Sequence, residues 1–321
     1  MSNNIEEVLL VGTGAMAIEY VKVLKSLDVT YKVVGNTKES VDKFSELTGD
    51  AAYVGGIDKY VSENGGNIPD KAIVAVNGAS LSGVAKSLIL IGVKSVLLEK
   101  PGGISRAEIN ELITVAEGQE AKVYIAYNRR FYDSVNMARR IIEDDGGLIA
   151  CNFEFTEWRH IIEKTAHPDY IKQKWFLMNS THVVDLVFHI AGMPTRLDSI
   201  VQGSLSWHNA GCNYVGSGIT DKDILFSYQA NWNAPGRWGV EFLTERHRLY
   251  LRPLEQLSIQ DNGSIIIEPV EIDSDKDKIY KAGLYNEVCA YIEGDKYNRL
   301  CSLEEQKKHM DIYEVISGEE Y

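Results

Sequence analysis

The sequence predicts an α/β protein: a parallel-sheet domain with helices on both faces, then an α+β domain built on an open, largely antiparallel sheet. Three observations predict this. The apolar run Val8-Leu9-Leu10-Val11 ends in Gly12-Thr13-Gly14-Ala15-Met16-Ala17 and passes into Ile18 to Lys25, where apolar residues recur at helical spacing. Apolar runs and helical patterns then alternate as far as Tyr127, the signature of parallel strands joined by crossover helices. Beyond Pro194, strand candidates follow one another without a helical pattern between them, which means an antiparallel sheet.

With 321 residues the chain accommodates two domains, taken as 1–127 and 128–321, the C-terminal helices being free to pack back on the first. A hydrophobic content of 45% with 25% charged residues is that of a soluble globular protein. A formal charge of −13 excludes general nucleic-acid or anionic-membrane binding. Cys151, Cys212, Cys289 and Cys301 lie far apart and form no CxxC pair, so they read as reduced thiols, and no metal site is expected. The start, Met1-Ser2-Asn3-Asn4-Ile5-Glu6-Glu7, has no basic flank or long apolar core, and no transmembrane run follows; a cytoplasmic protein is expected.

The first strand, turn and helix set the chemistry. Gly12 permits a backbone conformation that a Cβ penalises. Gly14 lets the backbone approach a pyrophosphate, and Ala17 lets the helix pack closely on its strand. The helix start then points N–H groups at the phosphates. Gly12, Thr13, Gly14, Ala15 and Met16 are therefore expected to hold a dinucleotide. The second strand runs from Thr30 to Asn36. In NAD-preferring domains an acid ends this strand and binds the ribose 2′-hydroxyl. Asn36-Thr37-Lys38 stands there instead, with donors and a cation suited to a 2′-phosphate, so NADP is expected ahead of NAD.

Helices follow at 40–47 and 81–91, and strands at 51–54, 71–76 and 93–98. Val76 and Asn77, at the end of the fourth strand, are expected beside the cofactor, and Asn64-Gly65-Gly66-Asn67 reads as a loop. Glu99-Lys100-Pro101 ends the next strand, where Lys100 would face the nicotinamide and a cis Pro101 would suit the turn. Ser105 caps a helix to Gly118, with Glu108 at capping-box spacing. Lys122 to Tyr127 is one more strand, followed by Asn128-Arg129-Arg130-Phe131.

With Gly12-Thr13-Gly14-Ala15-Met16-Ala17, Glu99-Lys100-Pro101, Tyr127-Asn128-Arg129-Arg130-Phe131 and Asn179-Ser180-Thr181-His182-Val183-Val184-Asp185, the chain resembles the Gfo/Idh/MocA family of NAD(P)-dependent oxidoreductases over nearly its whole length. It departs from the family's D-x-G-x-H-x-x-D pattern, with Met178 and Ser180 in place of Asp and Gly, and has Asn77 and Leu81 where Pro and His are usual. The resemblance implies a hydride transfer between the nicotinamide and a hydroxyl or keto carbon of a sugar, sugar acid or nucleotide sugar. It implies Lys100 and His182 as catalytic groups, Glu99, Lys100 and Asn128 at the cofactor, and Lys100, Arg129, Asn179 and His182 at the substrate. It also implies a sheet face that joins subunits into a dimer or tetramer.

In the second domain a helix is expected at 135–142, a strand at 148–158 and a helix at 179–191. Arg159, His160, Lys172 and Lys174 form a local positive excess, placed where the family binds substrate and suited to a carboxylate or phosphate. Arg130 reads as a structural ion-pair partner and His189 as a packing residue. Strands are expected at 197–207, 223–232, 238–244 and 248–251, and helices at 282–293 and 303–316, with the charge run 273–278 a solvated loop. Two rivals to a sugar dehydrogenase remain open: a redox-neutral epimerase or lyase that retains its NAD(P), and a cofactor-sensing protein without turnover.

Overall fold

A computed structural model describes residues 7–65 and 67–321. The reading of the N-terminal six residues and the Gly66 position of the expected loop lie outside them. The chain divides into two compact units, one made of residues up to Ala126 with Leu284–Lys307, the other of Tyr127–Gly283 with Lys308–Tyr321.

The first unit begins with alternating strands and helices: β1 (Glu7–Val11), α1 (Ala15–Ser26), β2 (Thr30–Gly35), α2 (Lys38–Thr48), β3 (Tyr53–Val54), α3 (Gly56–Glu63), β4 (Lys71–Val74), α4 (Leu81–Leu90), β5 (Ser95–Glu99), α5 (Arg106–Gly118) and β6 (Lys122–Ala126). Val8, Leu9 and Leu10 are wholly buried, as are Ala72, Ile73 and Val74 beside them. Strands covered by helices on both faces need such unbroken apolar runs rather than alternation. The α3 helix was absent from the sequence reading. Gly55 is its N-cap and Gly56 its first residue.

The second unit contains α6 (Asp133–Asp144), β7 (Ala150–Glu154), α7 (Arg159–Ile162), α8 (Asp169–Gln173), α9 (Thr181–Ala191), β8 (Pro194–Gln202), β9 (Asn213–Thr220), β10 (Leu225–Asn231), β11 (Gly239–Leu243), β12 (His247–Leu251), β13 (Ser258–Asp261), β14 (Glu268–Pro269) and α10 (Asp275–Ile279). The remaining elements are α11 (Leu284–Glu293), β15 (Cys301–Ser302) and α12 (Leu303–Ser317), the last of which runs across the chain boundary between the units.

The first sheet has the order β15-β6-β5-β4-β1-β2-β3 and is parallel except for β15. The order reverses at β1, flanked by β2 and β4, and such a point is where a doubly wound sheet binds ligands. The second sheet has the order β14-β13-β12-β11-β7-β10-β9-β8 and is antiparallel except between β7 and β10. β10 alternates strictly, with Phe226, Tyr228 and Ala230 inward. Phe153 of β7 meets Phe188 of α9 edge-on at 5.8 Å, so α9 covers the inner face. The outer face leaves Ile200, Val215 and Leu225 exposed. No helix among the described residues is long and apolar enough to cross a membrane.

Three expectations need correction here. The stretch between β7 and the helix expected at 179–191, where no helix was expected, contains two short helices, α7 and α8. The charge run is not simply solvated: α10 starts within it, and Asp277 accepts from the Asp133 and Gly283 amides at 2.8 and 2.7 Å. The His182 helix is preceded by a wide π turn at Phe176–Ser180, so Asn179 and Ser180 lie in that turn rather than in the helix.

Candidate functional site

A groove of about 840 Å³ opens at the carboxyl ends of β1, β2 and β4. Gly12, Thr13, Gly14, Ala15, Met16, Asn36, Val76 and Asn77 line it, so eight of the expected cofactor residues converge. A Cβ on Gly12 would lie 2.2 Å from the Ala75 carbonyl oxygen, with φ at +129°, so only glycine closes this turn. A Cβ on Gly14 would meet nothing within 4 Å. Gly14 is the N-cap of α1, with no side-chain cap and no acid in the first turn. The positive end of the helix therefore faces open space, the condition that an anion such as a pyrophosphate needs.

At the β2 end the groove includes Asn36, but neither Thr37 nor Lys38 lines it. The Thr37 hydroxyl is the cap of α2 and accepts from the Ser40 amide at 3.3 Å. Lys38 is the first residue of α2 and is exposed. The 2′-phosphate contact expected of Thr37 and Lys38 thus gains no support from the groove lining: capping engages the Thr37 hydroxyl, and Lys38 is exposed. Asp58, in the first turn of α3, lines the groove instead.

Glu99 and Lys100 follow at the end of β5 and do not line this groove. The Tyr20 hydroxyl donates to Glu99 Oε1 at 3.0 Å, and burial, with Glu99 and Glu287 nearby, pushes that phenol well up. Lys100 is half-buried, and its bond to Pro101 is cis. The loop is held by the Gly102 amide on the Glu99 carbonyl at 3.0 Å and by Gln306 Nε2 on the Pro101 carbonyl at 2.9 Å. Ser105 caps α5 as expected, accepting from the Glu108 amide at 3.2 Å, while Glu108 accepts from the Ile104 amide at 2.8 Å.

In the second unit, a 3₁₀ turn at Asn128–Phe131 sets two arginines to different tasks. Arg130 is wholly buried and forks onto Asp185, Nε to Oδ2 at 2.8 Å and Nη2 to Oδ1 at 2.6 Å. Burial alone would raise the Asp185 carboxyl; Arg130 and His309 more than offset it, and the net direction is down. Arg130 is the structural partner that the sequence suggested. Asn128 donates to the Ala282 carbonyl at 2.9 Å. Arg129 Nη1 donates to Asn128 Oδ1 at 2.7 Å and lies 3.1 Å from His182 Nε2. A guanidinium has only donors, so in this pairing His182 Nε2 is the acceptor. The His182 ring also meets Tyr127 edge-on at 5.9 Å and Trp238 at 6.0 Å.

The sequence reading missed Glu157. Its carboxylate is 2% exposed and is ringed by donors: Asn179 Nδ2 at 2.9 Å, Ser180 Oγ at 2.8 Å, Arg237 Nη1 at 3.2 Å and Trp238 Nε1 at 3.3 Å. Burial raises the Glu157 carboxyl; Ser180, Arg237 and Asn179 oppose it without reversing the direction. Ser180 stands where the family pattern has Gly, and its hydroxyl is what reaches Glu157. Arg237 stacks between Trp158 and Trp238, 4.9 and 4.4 Å from their ring centres, and Arg129 lies 5.4 Å from the Trp238 ring. Asn179, Arg129 and His182 are thereby drawn into one constellation with Glu157, Trp238 and Arg237.

Arg159, Lys172 and Lys174 do not converge with them. Arg159 donates to Asn233 and approaches Glu163 at 3.9 Å. Lys172 is buried with Nζ on the Glu163 carbonyl at 3.1 Å, and Lys174 lies over the Tyr321 ring at 5.2 Å. Each is engaged with its own partners, and no contact among the three brings them together. His189, at the far end of α9, is buried, and that burial and then the Arg130 charge push it well down, in keeping with a packing role.

No protein-family profile and no curated protein matches the chain. Solved structures do. An oxidoreductase from Agrobacterium radiobacter, in complex with NAD+, L-tartaric acid and magnesium, is 11% identical with a TM-score of 0.77, over 98% of this chain and 95% of that one. UDP-N-acetylglucosamine 3-dehydrogenase GnnA from Acidithiobacillus ferrooxidans is 12% identical with a TM-score of 0.75, over 97% and 98%. The WlbA dehydrogenase from Chromobacterium violaceum, in complex with NADH and UDP-GlcNAcA, is 13% identical with a TM-score of 0.71, over 97% and 92%. At these identities the likeness shows the fold. It is the two-sheet fold of NAD-binding oxidoreductases that the resemblance implied.

Proposed function

We propose that the chain is a nicotinamide-dependent oxidoreductase of the Gfo/Idh/MocA type, acting on a hydroxyl or keto carbon of a sugar, sugar acid or nucleotide sugar. The observation that carries this reading is the uncapped start of α1 facing the open groove at Gly14. The first unit holds the cofactor, and Gly12 to Met16, Val76 and Asn77 are the residues that would cradle it. When bound, the nicotinamide ring supplies the hydride acceptor or donor. NAD is the cofactor proposed, because Lys38 lies outside the groove, and the similar structures described with a bound nucleotide hold NAD+ or NADH.

Oxidation of a carbinol releases a hydride from carbon and a proton from oxygen, and the proton needs a base. Lys100 is assigned that proton. Arg129 supplies a fixed cation for the substrate oxygens, and His182, paired with Arg129, orients the substrate. Glu157 fixes the turn that carries Asn179 and the wall that carries Trp238. The exposed sheet face at Ile200, Val215 and Leu225 is proposed as the subunit contact of a homo-oligomer. The reading is tested by following reduced-nicotinamide absorbance against a panel of sugars, sugar acids and nucleotide sugars. Turnover is expected with at least one class, and Lys100→Met is expected to lower kcat by about 10²-fold while NADH affinity holds. Turnover in Lys100→Met close to wild type would remove Lys100 from the chemistry.

A further inference from the structure

We infer that Asp58 is the acid that reads the adenosine ribose, delivered from the first turn of α3 rather than from the end of β2, and that it selects NAD over NADP. The inference rests on reading the groove as a dinucleotide site and adds the residue that sets its specificity.

The usual acid at the end of β2 is replaced by Asn36. The backbone brings a second segment to the same place. The Gly55 amide donates to the Gly35 carbonyl at 3.0 Å, which ties the start of α3 to the end of β2. A Cβ on Gly56 would lie 3.6 Å from Asn36 Oδ1, so the first turn of α3 runs beside that side chain. Gly35, Asn36, Gly55, Gly56 and Asp58 line one end of the groove together.

Charge decides between the two ligands. Among the described residues that line the groove, Asp58 is the one charged side chain; no lysine, arginine or histidine is among them. Asp58 is exposed and makes no ion pair among the described residues. A ribose 2′-hydroxyl can donate to such a carboxylate, a charge-assisted bond. A 2′-phosphate would bring a second anion to an acid with no cation among the described residues that line the groove. Asp58 also gains from the α3 dipole. That gain is a matter of stability and does not distinguish the two nucleotides.

The test is fluorescence titration of the full-length protein with NADH and with NADPH. Wild type is expected to bind NADH at least about tenfold more tightly than NADPH, the scale of one charge-assisted contact. Asp58→Asn is expected to bring the two within about threefold, and Asp58→Lys to favour NADPH, while Lys38→Ala leaves the wild-type ratio unchanged. Asp58→Ser, also compatible with a helix start, serves if either variant fails to fold. Failure of wild type to bind either nucleotide would overturn the groove reading and this assignment with it. NADH binding with a ratio that Asp58→Asn leaves intact, or that Lys38→Ala shifts, would overturn the assignment alone.

Discussion

Arg129 Nη1 sits 3.1 Å from His182 Nε2, a guanidinium donating to an imidazole. Because the guanidinium cannot accept, the histidine nitrogen that faces it carries no proton. The expected outcome is a His182 whose Nε2 gives the ¹⁵N shift of an unprotonated nitrogen near neutral pH. In Arg129→Met that constraint is gone, and the two tautomers are expected to mix. An imidazolium spectrum for His182 in wild type would refute the pairing.

The two glycines of the first turn separate stability from binding. Gly12→Ala places a Cβ against the Ala75 carbonyl in a left-handed backbone and is expected to destabilise the first unit by several kcal/mol. Gly14→Ala meets open space and has an ordinary φ of −84°, so the melting temperature is expected to stay within a few degrees. The new methyl stands where the groove admits the phosphates, and NADH affinity is expected to fall about tenfold or more. Equal effects of the two substitutions on melting would contradict the turn geometry.

Glu157→Ala removes the acceptor of four donors from a site that is 2% exposed. Stranded buried donors make this expensive, about 3 kcal/mol in denaturant unfolding. Glu157→Gln keeps the shape and is expected to cost less, while NADH binding in the first unit is unchanged in both. A Glu157→Ala protein as stable as wild type would show that the ring of donors contributes little.

His189 gives the pH signature of the second unit. Its folded pKa is depressed by burial and by Arg130 and Arg139, with Asp185 opposing, so the unfolded chain takes up a proton that the folded one refuses. The stability tied to His189 is therefore fully present above its unfolded value of about 6.5 and declines as pH falls, by up to about 1.4 kcal/mol per unit. His189→Gln is expected to flatten that slope in melts between roughly pH 5 and 7. An unchanged slope would place the pH dependence elsewhere.

The glycine groove was legible because its determinants are local. An apolar run, two glycines and a helical period sit within about twenty residues, and the backbone has few ways to obey them. Glu157 was not legible, because its partners lie 22, 23, 80 and 81 residues away, and nothing near Glu157 marks it out. Strand β9 was hidden for a related reason. Gly216 and Gly218 interrupt its pattern, yet they are required where a Cβ would strike the Tyr228 ring at 2.3 Å and the Arg196 carbonyl at 2.0 Å. The partners of Arg159, Lys172 and Lys174 were not legible either, because charge in sequence says nothing of which carbonyls and rings each side chain will find.

Titration of NADH into the purified wild-type protein tests whether a nicotinamide dinucleotide binds at the start of α1. One site per chain, with a Kd well below about 1 mM and strongly weakened in Gly14→Ala, is the expected result. No binding at that concentration, or binding that Gly14→Ala leaves untouched, would contradict it.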